Sequence, residues 1–222
     1  SGRGPTLEVT LSKFREINTT IQIIGLSATV SNSDEIAEWL NAIVVKSDFR
    51  PVPLRRGISI DKNIEWEDGK KSGLGLEGVE GIAADNLPEQ CLVFVATRKA
   101  AEAQARRLSS IIGKRLSPKE LEGLKLWSEK MKQGTDEVTS VDSSLSKIIE
   151  KGVAYHHAGL TNRHRQIIEG AFRDKSLKAL CATPTLAAGV NLPAKRVIIK
   201  DLSRWESAFQ SNQPLPVLAV QQ

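Results

Sequence analysis

Ala182-Thr183-Pro184-Thr185-Leu186-Ala187-Ala188-Gly189-Val190-Asn191-Leu192-Pro193-Ala194 is the stretch whose reading decides the fold. An apolar run, Leu177 to Cys181, precedes it, and a second, Arg196 to Lys200 (R-V-I-I-K), follows it. Two buried strands are therefore expected to flank a loop of hydroxyls, small residues and one glycine. In an open α/β sheet, ligands bind beyond the carboxyl ends of parallel strands. Thr183 and Thr185 carry hydroxyls that can donate to phosphate oxygens, and Gly189 lets backbone come close to a ligand. A plain turn between two strands fits the same residues, so the surrounding chain has to decide.

Upstream, Cys91 to Ala96 (C-L-V-F-V-A) is the clearest strand, closed by Thr97-Arg98-Lys99 and followed by an alanine-rich helix to about Ile112. Ser117-Pro118-Lys119-Glu120 is a capping box with proline at the first helical position. The helix it opens carries Leu121, Leu124, Trp127 and Met131 on one face. Further helices are expected over Ser143 to Glu150 and Asn162 to Asp174, with a short strand, Val153 to Tyr155, between them. This alternation predicts an α/β fold: a parallel sheet with helices on both faces.

The first fifty residues read as a smaller version of the same pattern. A helix is expected from Pro5 to Ile17, with Leu7, Leu11 and Phe14 in register. Ile21 to Leu26 and Ile43 to Val45 are expected strands, and Ser27-Ala28-Thr29 ends the first. Between them Asn32 is a helix cap, with Glu35 three residues on and Ile36, Trp39 and Leu40 as the apolar face. Arg50-Pro51-Val52-Pro53 is extended, because a residue before proline is pushed out of the helical region, and reads as a linker. Leu54 to Ile60 is a further expected strand. Asp61 to Pro88, glycine-rich and charged, is the least ordered-looking segment. Its Gly73-Leu74-Gly75-Leu76-Glu77-Gly78 is a formal G-x-G-x-x-G, but neither a strand before it nor a helix after it is expected, so it reads as a hairpin or mobile loop and not a dinucleotide site.

With 222 residues, 40% hydrophobic and 26% charged, the chain has the composition of a globular protein with a real core. Its net charge of +5 and pI of about 9.2 permit an anionic partner without requiring one. Cys91 and Cys181 both sit in apolar runs and read as buried strand residues, not as a disulfide framework. No apolar run reaches the length of a membrane span and no leader-like segment heads the sequence. His156, His157 and His164 lack a nearby cysteine or carboxylate in sequence and neighbouring histidines point apart, so no metal site is expected. No serine elbow appears, and neither cysteine has an electropositive setting.

Four polar clusters remain, each where a strand should end: Ser27-Ala28-Thr29, Thr97-Arg98, His156-His157-Ala158-Gly159, and Thr183 with Thr185. Hydroxyls, an arginine and backbone amides gathered at one sheet edge can hold phosphates or a nucleic-acid backbone. In order and residue type these clusters resemble helicase motifs. Ser27-Ala28-Thr29 after I-I-G-L resembles motif III, and Val93 to Arg98 resembles motif IV. Val153 to Leu160 (V-A-Y-H-H-A-G-L) resembles the motif between IV and V, and Ala182 to Ala194 resembles motif V. The chain is similar to the Ski-type branch of helicase superfamily 2, and within it to the archaeal Hjm-type DNA helicases and the helicase domain of DNA polymerase theta.

The resemblance implies two RecA-like domains that close on ATP and Mg2+ while moving 3′ to 5′ along single-stranded or forked DNA, in repair or recombination. It implies a cytoplasmic, nucleoid-associated protein. It assigns Thr97, Arg98, Thr183 and Thr185 to DNA phosphates, and His156 and His157 to support of that groove. It places Ser27, Thr29, Gly189, Asn191 and Gln222 toward the ATP interface. The implied organisation is a tail of the first RecA-like domain over residues 1–47, a linker over 48–53, and the second RecA-like domain over 54–222. The missing first domain and accessory domains would be its partners. The 222 residues hold no G-x-x-x-x-G-K-[ST] and no D-E-x-H, so no ATP or magnesium is expected to bind this chain alone, nor ATP hydrolysis by it. An unpaired strand edge in residues 21–45 is expected to leave that segment loosely docked or reorganised. Open alternatives are an RNA helicase of the same branch, a nucleic-acid or protein interaction module without ATP, and a Rossmann-type enzyme.

Overall fold

The structure, a computed structural model, describes residues 4–27, 30, 32–47, 49, 52–133, 139–186, 192–201, 203–206 and 211–214. Two compact units are distinguished, Ser1–Val52 and Pro53–Val220.

In the first unit, helix α1 spans Gly4–Ile17 and helix α2 spans Ser33–Leu40. Asn32 precedes α2, but its side-chain amide donates to Glu35 at 3.2 Å and does not cap the helix. Asp34 and Glu35 instead complement the positive end of the helix dipole. Asn41, left-handed at φ +52°, ends α2. The Arg15 guanidinium donates to the Trp39 carbonyl at 2.6 Å and joins the two helices. The expected strands at 21–26 and 43–45 do not form, and Leu26 and Ile43 are 94% and 92% exposed. An apolar run becomes a strand only where a neighbour accepts its hydrogen bonds, and no described segment of this unit does.

The second unit opens with an antiparallel meander of β1 (Gly57–Ile60), β2 (Asn63–Trp66) and β3 (Lys71–Gly73). Helix α3 follows at Gly78–Asp85. The segment 61–88 is therefore ordered, contrary to expectation. Its strands are too short and too charged to show a period, and turns at Asp61 (φ +52°) and Gly69 (φ +78°) set their pairing. The glycine triplet does lie between a strand and a helix, which also corrects the sequence reading. Yet the Gly75 amide donates to the Asp85 carboxylate at 2.9 Å, and a Cβ on Gly81 would stand 1.7 Å from the Leu76 carbonyl oxygen. These glycines pack α3 onto its own loop, and the strand before them belongs to an antiparallel meander.

The main sheet consists of β4 (Cys91–Phe94), β5 (Val153–His156), β6 (Ala179–Ala182) and β7 (Arg196–Ile199), all parallel, in the order β5-β6-β4-β7. Helices α4 (Arg98–Ile112), α5 (Pro118–Lys132) and α6 (Ser140–Ile149) connect β4 to β5, and α7 (Asn162–Arg173) connects β5 to β6. These two crossovers run in opposite directions along the sheet, so right-handed connections put α4 and α7 on opposite faces. Helices α4 to α7 each start on a side-chain cap. Thr97, Ser117, Thr139 and Thr161 accept from the amides of Ala100, Glu120, Asp142 and His164. Helix α6 starts at Ser140, earlier than expected, because Thr139 and Asp142 form a second capping box.

Val93, Leu108, Leu145, Ile168, Phe172 and Leu180 are fully buried between sheet and helices. Gln90 binds the core together at long range, its amide donating to the carbonyls of Phe172 and Leu177 at 2.6 and 2.8 Å. Cys91 and Cys181 are buried free thiols; burial pushes Cys91 up to about 12 and Cys181 well above the usual thiol value. A hairpin of β8 (Ser203–Glu206) and β9 (Ser211–Pro214), not anticipated from sequence, follows β7. No described helix is long and apolar enough to cross a membrane.

Candidate nucleic-acid interface

Because the four strands of the main sheet are parallel, their carboxyl ends share one edge. Phe94 stands beside Ala182 and Ile199, and Ala182 beside His156. The chain just past each end continues the ladder. The Val95 amide donates to the Ala182 carbonyl at 2.9 Å, Thr183 to His156 at 3.2 Å, and Lys200 to Phe94 at 3.0 Å. The Asp201 carboxylate accepts from the Ala96 amide at 2.8 Å and ties the ends of β4 and β7 together. Three of the four clusters singled out from sequence therefore converge: Thr97-Arg98, His156 to Gly159, and Thr183.

Thr97 is the cap of α4 and is exposed. Its oxygen accepts from Ala100, which leaves the hydroxyl hydrogen to donate outward. Arg98 is exposed in the first turn of α4, where aligned amides favour an anion, and it makes no ion pair with a described residue. Its guanidinium lies over the turn after β5. A Cβ on Gly159 would come 3.2 Å from Arg98 Nη1 and 3.1 Å from His157 Nδ1. Glycine is needed here by close approach. Thr183 is 7% exposed and opens the 3-10 turn Pro184–Leu186, which contains Thr185.

His156 and His157 lie beneath this edge, each 5% exposed. Strand alternation sends them to opposite faces. His156 Nε2 meets Glu169 of α7 at 3.1 Å. His157 stacks on Tyr155, with ring centroids 5.5 Å apart, and its Nε2 lies 3.5 Å from Glu102 of α4. The Gly159 amide donates to His157 Nδ1 at 3.2 Å, so the neutral ring carries its proton on Nε2. Burial pushes both imidazoles below their usual value, with the glutamates only partly opposing. The pair is built to be neutral and to hold the turn, not to present charge. Glu102, Glu169 and Asp201 were missed from sequence. A lone carboxylate on a helix gives no sign of the strand it reaches, although an aspartate directly after R-V-I-I-K was a readable signal for Asp201.

His164, the third histidine, lies elsewhere, with Nε2 2.8 Å from Asp142. Arg163 donates to the same Asp142 oxygen at 3.3 Å and to the carbonyls of Lys130, Met131 and Gln133, which joins α5, α6 and α7. Of the residues assigned to an ATP interface, Ser27 is exposed in the first unit, while Thr29, Gly189, Asn191 and Gln222 lie outside the described residues. Among the described residues no three His, Cys, Asp or Glu side chains converge as a metal ion needs.

The family described as "Helicase conserved C-terminal domain" matches residues 78–213. A Methanocella arvoryzae protein named "ATP-dependent DNA helicase Hel308" is 43% identical over 226 residues, covering 99% of this chain and 30% of its own length. The protein of that name in Thermoplasma acidophilum is 44% identical over 206 residues, 92% of this chain and 28% of its own length. That of Pyrococcus horikoshii is 40% identical over 222 residues, 99% of this chain and 29% of its own length. The chain thus spans about 30% of the length of the curated relatives it matches.

Proposed function

Because the chain belongs to the family of the helicase conserved C-terminal domain, we propose that it is the second motor domain of an ATP-dependent DNA helicase that moves 3′ to 5′ on single-stranded DNA. The observation that carries this reading is the single sheet edge on which Thr97, Arg98, the His157–Gly159 turn and Thr183 meet. Such an edge offers a fork of guanidinium donors, hydroxyls and helix-start amides to a phosphodiester backbone, with no aromatic platform for bases among the described residues. Thr97, Arg98, Thr183 and Thr185 contact phosphates in this proposal, and His156 and His157 set the turn beneath them. Ser27, Thr29, Gly189, Asn191 and Gln222 act toward ATP and Mg2+ only together with the other RecA-like domain. Residues 1–47 are the tail of that domain, and 48–53 the linker. Work at forks in repair or recombination, beside further accessory domains, belongs to the longer enzyme. The chain alone binds single-stranded DNA weakly and does not hydrolyse ATP.

Fluorescence anisotropy with a labelled single strand at two salt concentrations tests this. About three phosphate contacts give a slope near −2 in log affinity against log salt. Arg98→Ala is expected to weaken binding about tenfold, the worth of one charge-assisted contact, and Thr185→Ala less. Binding that neither substitution changes withdraws the assignment. An RNA strand bound more tightly than DNA of the same sequence moves the proposal to an RNA helicase of the same branch.

A further inference from the structure

We propose that the groove between α4 and α6 is a phosphate-binding site that shares no residue with the strand-end edge. The groove is a cleft of about 480 Å³ whose lining, among the described residues, holds three cations, Arg106, Lys147 and Lys151, five serines and no carboxylate. Lys147 and Lys151 make no ion pair with any described residue. Arg106 pairs only with Glu102, one turn back along α4 at 3.0 Å and outside the lining.

The two carboxylates of α6 and its C-terminal cap are turned away from the lysines. Asp142, in the first turn of α6, is held by Thr139, Arg163 and His164. Glu150, at the end of α6, accepts from Ser128 at 2.7 Å and Lys132 at 3.4 Å on α5. What α6 and the turn after it present to the groove is therefore the hydroxyls of Ser140 and Ser143, neither of which bonds another described side chain or carbonyl, followed by the ammonium groups of Lys147 and Lys151, while Ser144 is engaged with Tyr155. The α4 serines take no part as donors, since Ser109 and Ser110 both donate to the Arg106 carbonyl. Two uncompensated lysines four residues apart repel one another, and an anion between them removes that repulsion.

The chemistry of the lining selects phosphate. A tetrahedral phosphate accepts from an arginine fork, ammonium groups and hydroxyls at once. Among the described residues no aromatic side chain lines the groove, so bases have nothing to stack on. Among them Ile148, itself buried, is the one apolar lining residue, so an acidic peptide finds no anchor pocket. Free phosphate or pyrophosphate and the backbone of a nucleic acid are the two sources of this group.

The test is a titration of the whole isotopically labelled chain, followed by amide chemical shifts, with pyrophosphate, a twelve-residue thymidine strand and hexaglutamate as separate probes. Pyrophosphate is expected to move the amides of Ser140, Ser143 and Lys147. The double variant Lys147→Gln, Lys151→Gln is expected to weaken it about tenfold, while Arg98→Ala changes it less than about twofold. Both lysines are exposed, and the spectrum itself reports that the variant is folded. If the thymidine strand moves the same amides and loses affinity in the same double variant, the source is a nucleic-acid backbone. If only pyrophosphate does so, the source is free phosphate. Unmoved groove amides, an unchanged affinity in the double variant, or hexaglutamate binding as tightly as pyrophosphate each overturns the proposal. DNA binding that depends on Arg98 but not on the two lysines overturns it while leaving the motor-domain reading intact.

Discussion

Gly159 carries the tightest steric demand of the strand-end edge. A methyl group there would stand 3.1 Å from His157 Nδ1 and 3.2 Å from Arg98 Nη1, so both the ring that Tyr155 and Glu102 hold and the exposed guanidinium must give way. The packed ring shifts at a cost in stability, the flexible arginine at little. Gly159→Ala is therefore expected to lower Tm by about 2–4 °C and to weaken single-strand binding several-fold, toward the value of Arg98→Ala. A melting curve and an anisotropy titration on the same sample check this. Equal binding by the variant and the native chain would remove Arg98 from the edge. At this scale the residue types were legible from sequence and their settings were not. Thr97 and Arg98 stand at the start of α4 as the strand-to-helix pattern required. The burial of His156 and His157 depends on Glu169 and Glu102, which lie on helices before and after β5.

Elements differ in whether their ends are held by side chains. Thr139 and Asp142 bond reciprocally across the start of α6, whereas Asn32 makes no cap bond to α2. Thr139→Ala is expected to cost about 1 kcal/mol, or about 2–4 °C in Tm for a unit of this size, and Asn32→Ala a few tenths or less. Chemical denaturation of the two variants side by side measures the difference. The first unit differs from the main sheet in a second respect. Among the described residues, 21–26 have only the backbone bond from the Ile21 amide to the Asn18 carbonyl at 3.3 Å, while β4 is laddered on both sides. Amide hydrogen exchange over 22–26 is expected to be orders of magnitude faster than over Leu92–Phe94. Comparable protection would show that the segment pairs in solution. Both stretches looked alike as sequence, each a run of six mostly apolar residues. The runs β2 and β3 looked like loop and are strands, because hairpin turns, not apolar periodicity, define them.

For the whole molecule, acid acts in two windows. His156 and His157 are held neutral, their folded pKa values lying below the unfolded one near 6.5. Their contribution is intact above about pH 6.5, where both states are neutral, and falls as pH drops and the unfolded chain takes up protons. Glu120 and Asp142 are shifted down to about 2: Glu120 by the Lys178 ammonium and the Ser117 cap, Asp142 by Thr139 and His164 against the effect of burial. Their contribution is present above the ordinary carboxylate range and is lost as pH falls toward 2. Urea midpoints are expected to decline modestly between pH 7 and 5 and steeply below 4. A midpoint flat between pH 7 and 5 would mean that the histidines open to water. The sequence by itself determined the alternation of strand and helix from Cys91 to Lys200, the capping box at Ser117, and the family resemblance. Caps, turns and apolar periods are energies between residues a few positions apart, so they can be read locally. Only the tertiary structure decided the order β5-β6-β4-β7, the pairing of Gln90 with Phe172 and Leu177, and which apolar runs become strands. A strand is completed by hydrogen bonds to a partner tens of residues away, and no local pattern states whether that partner is there.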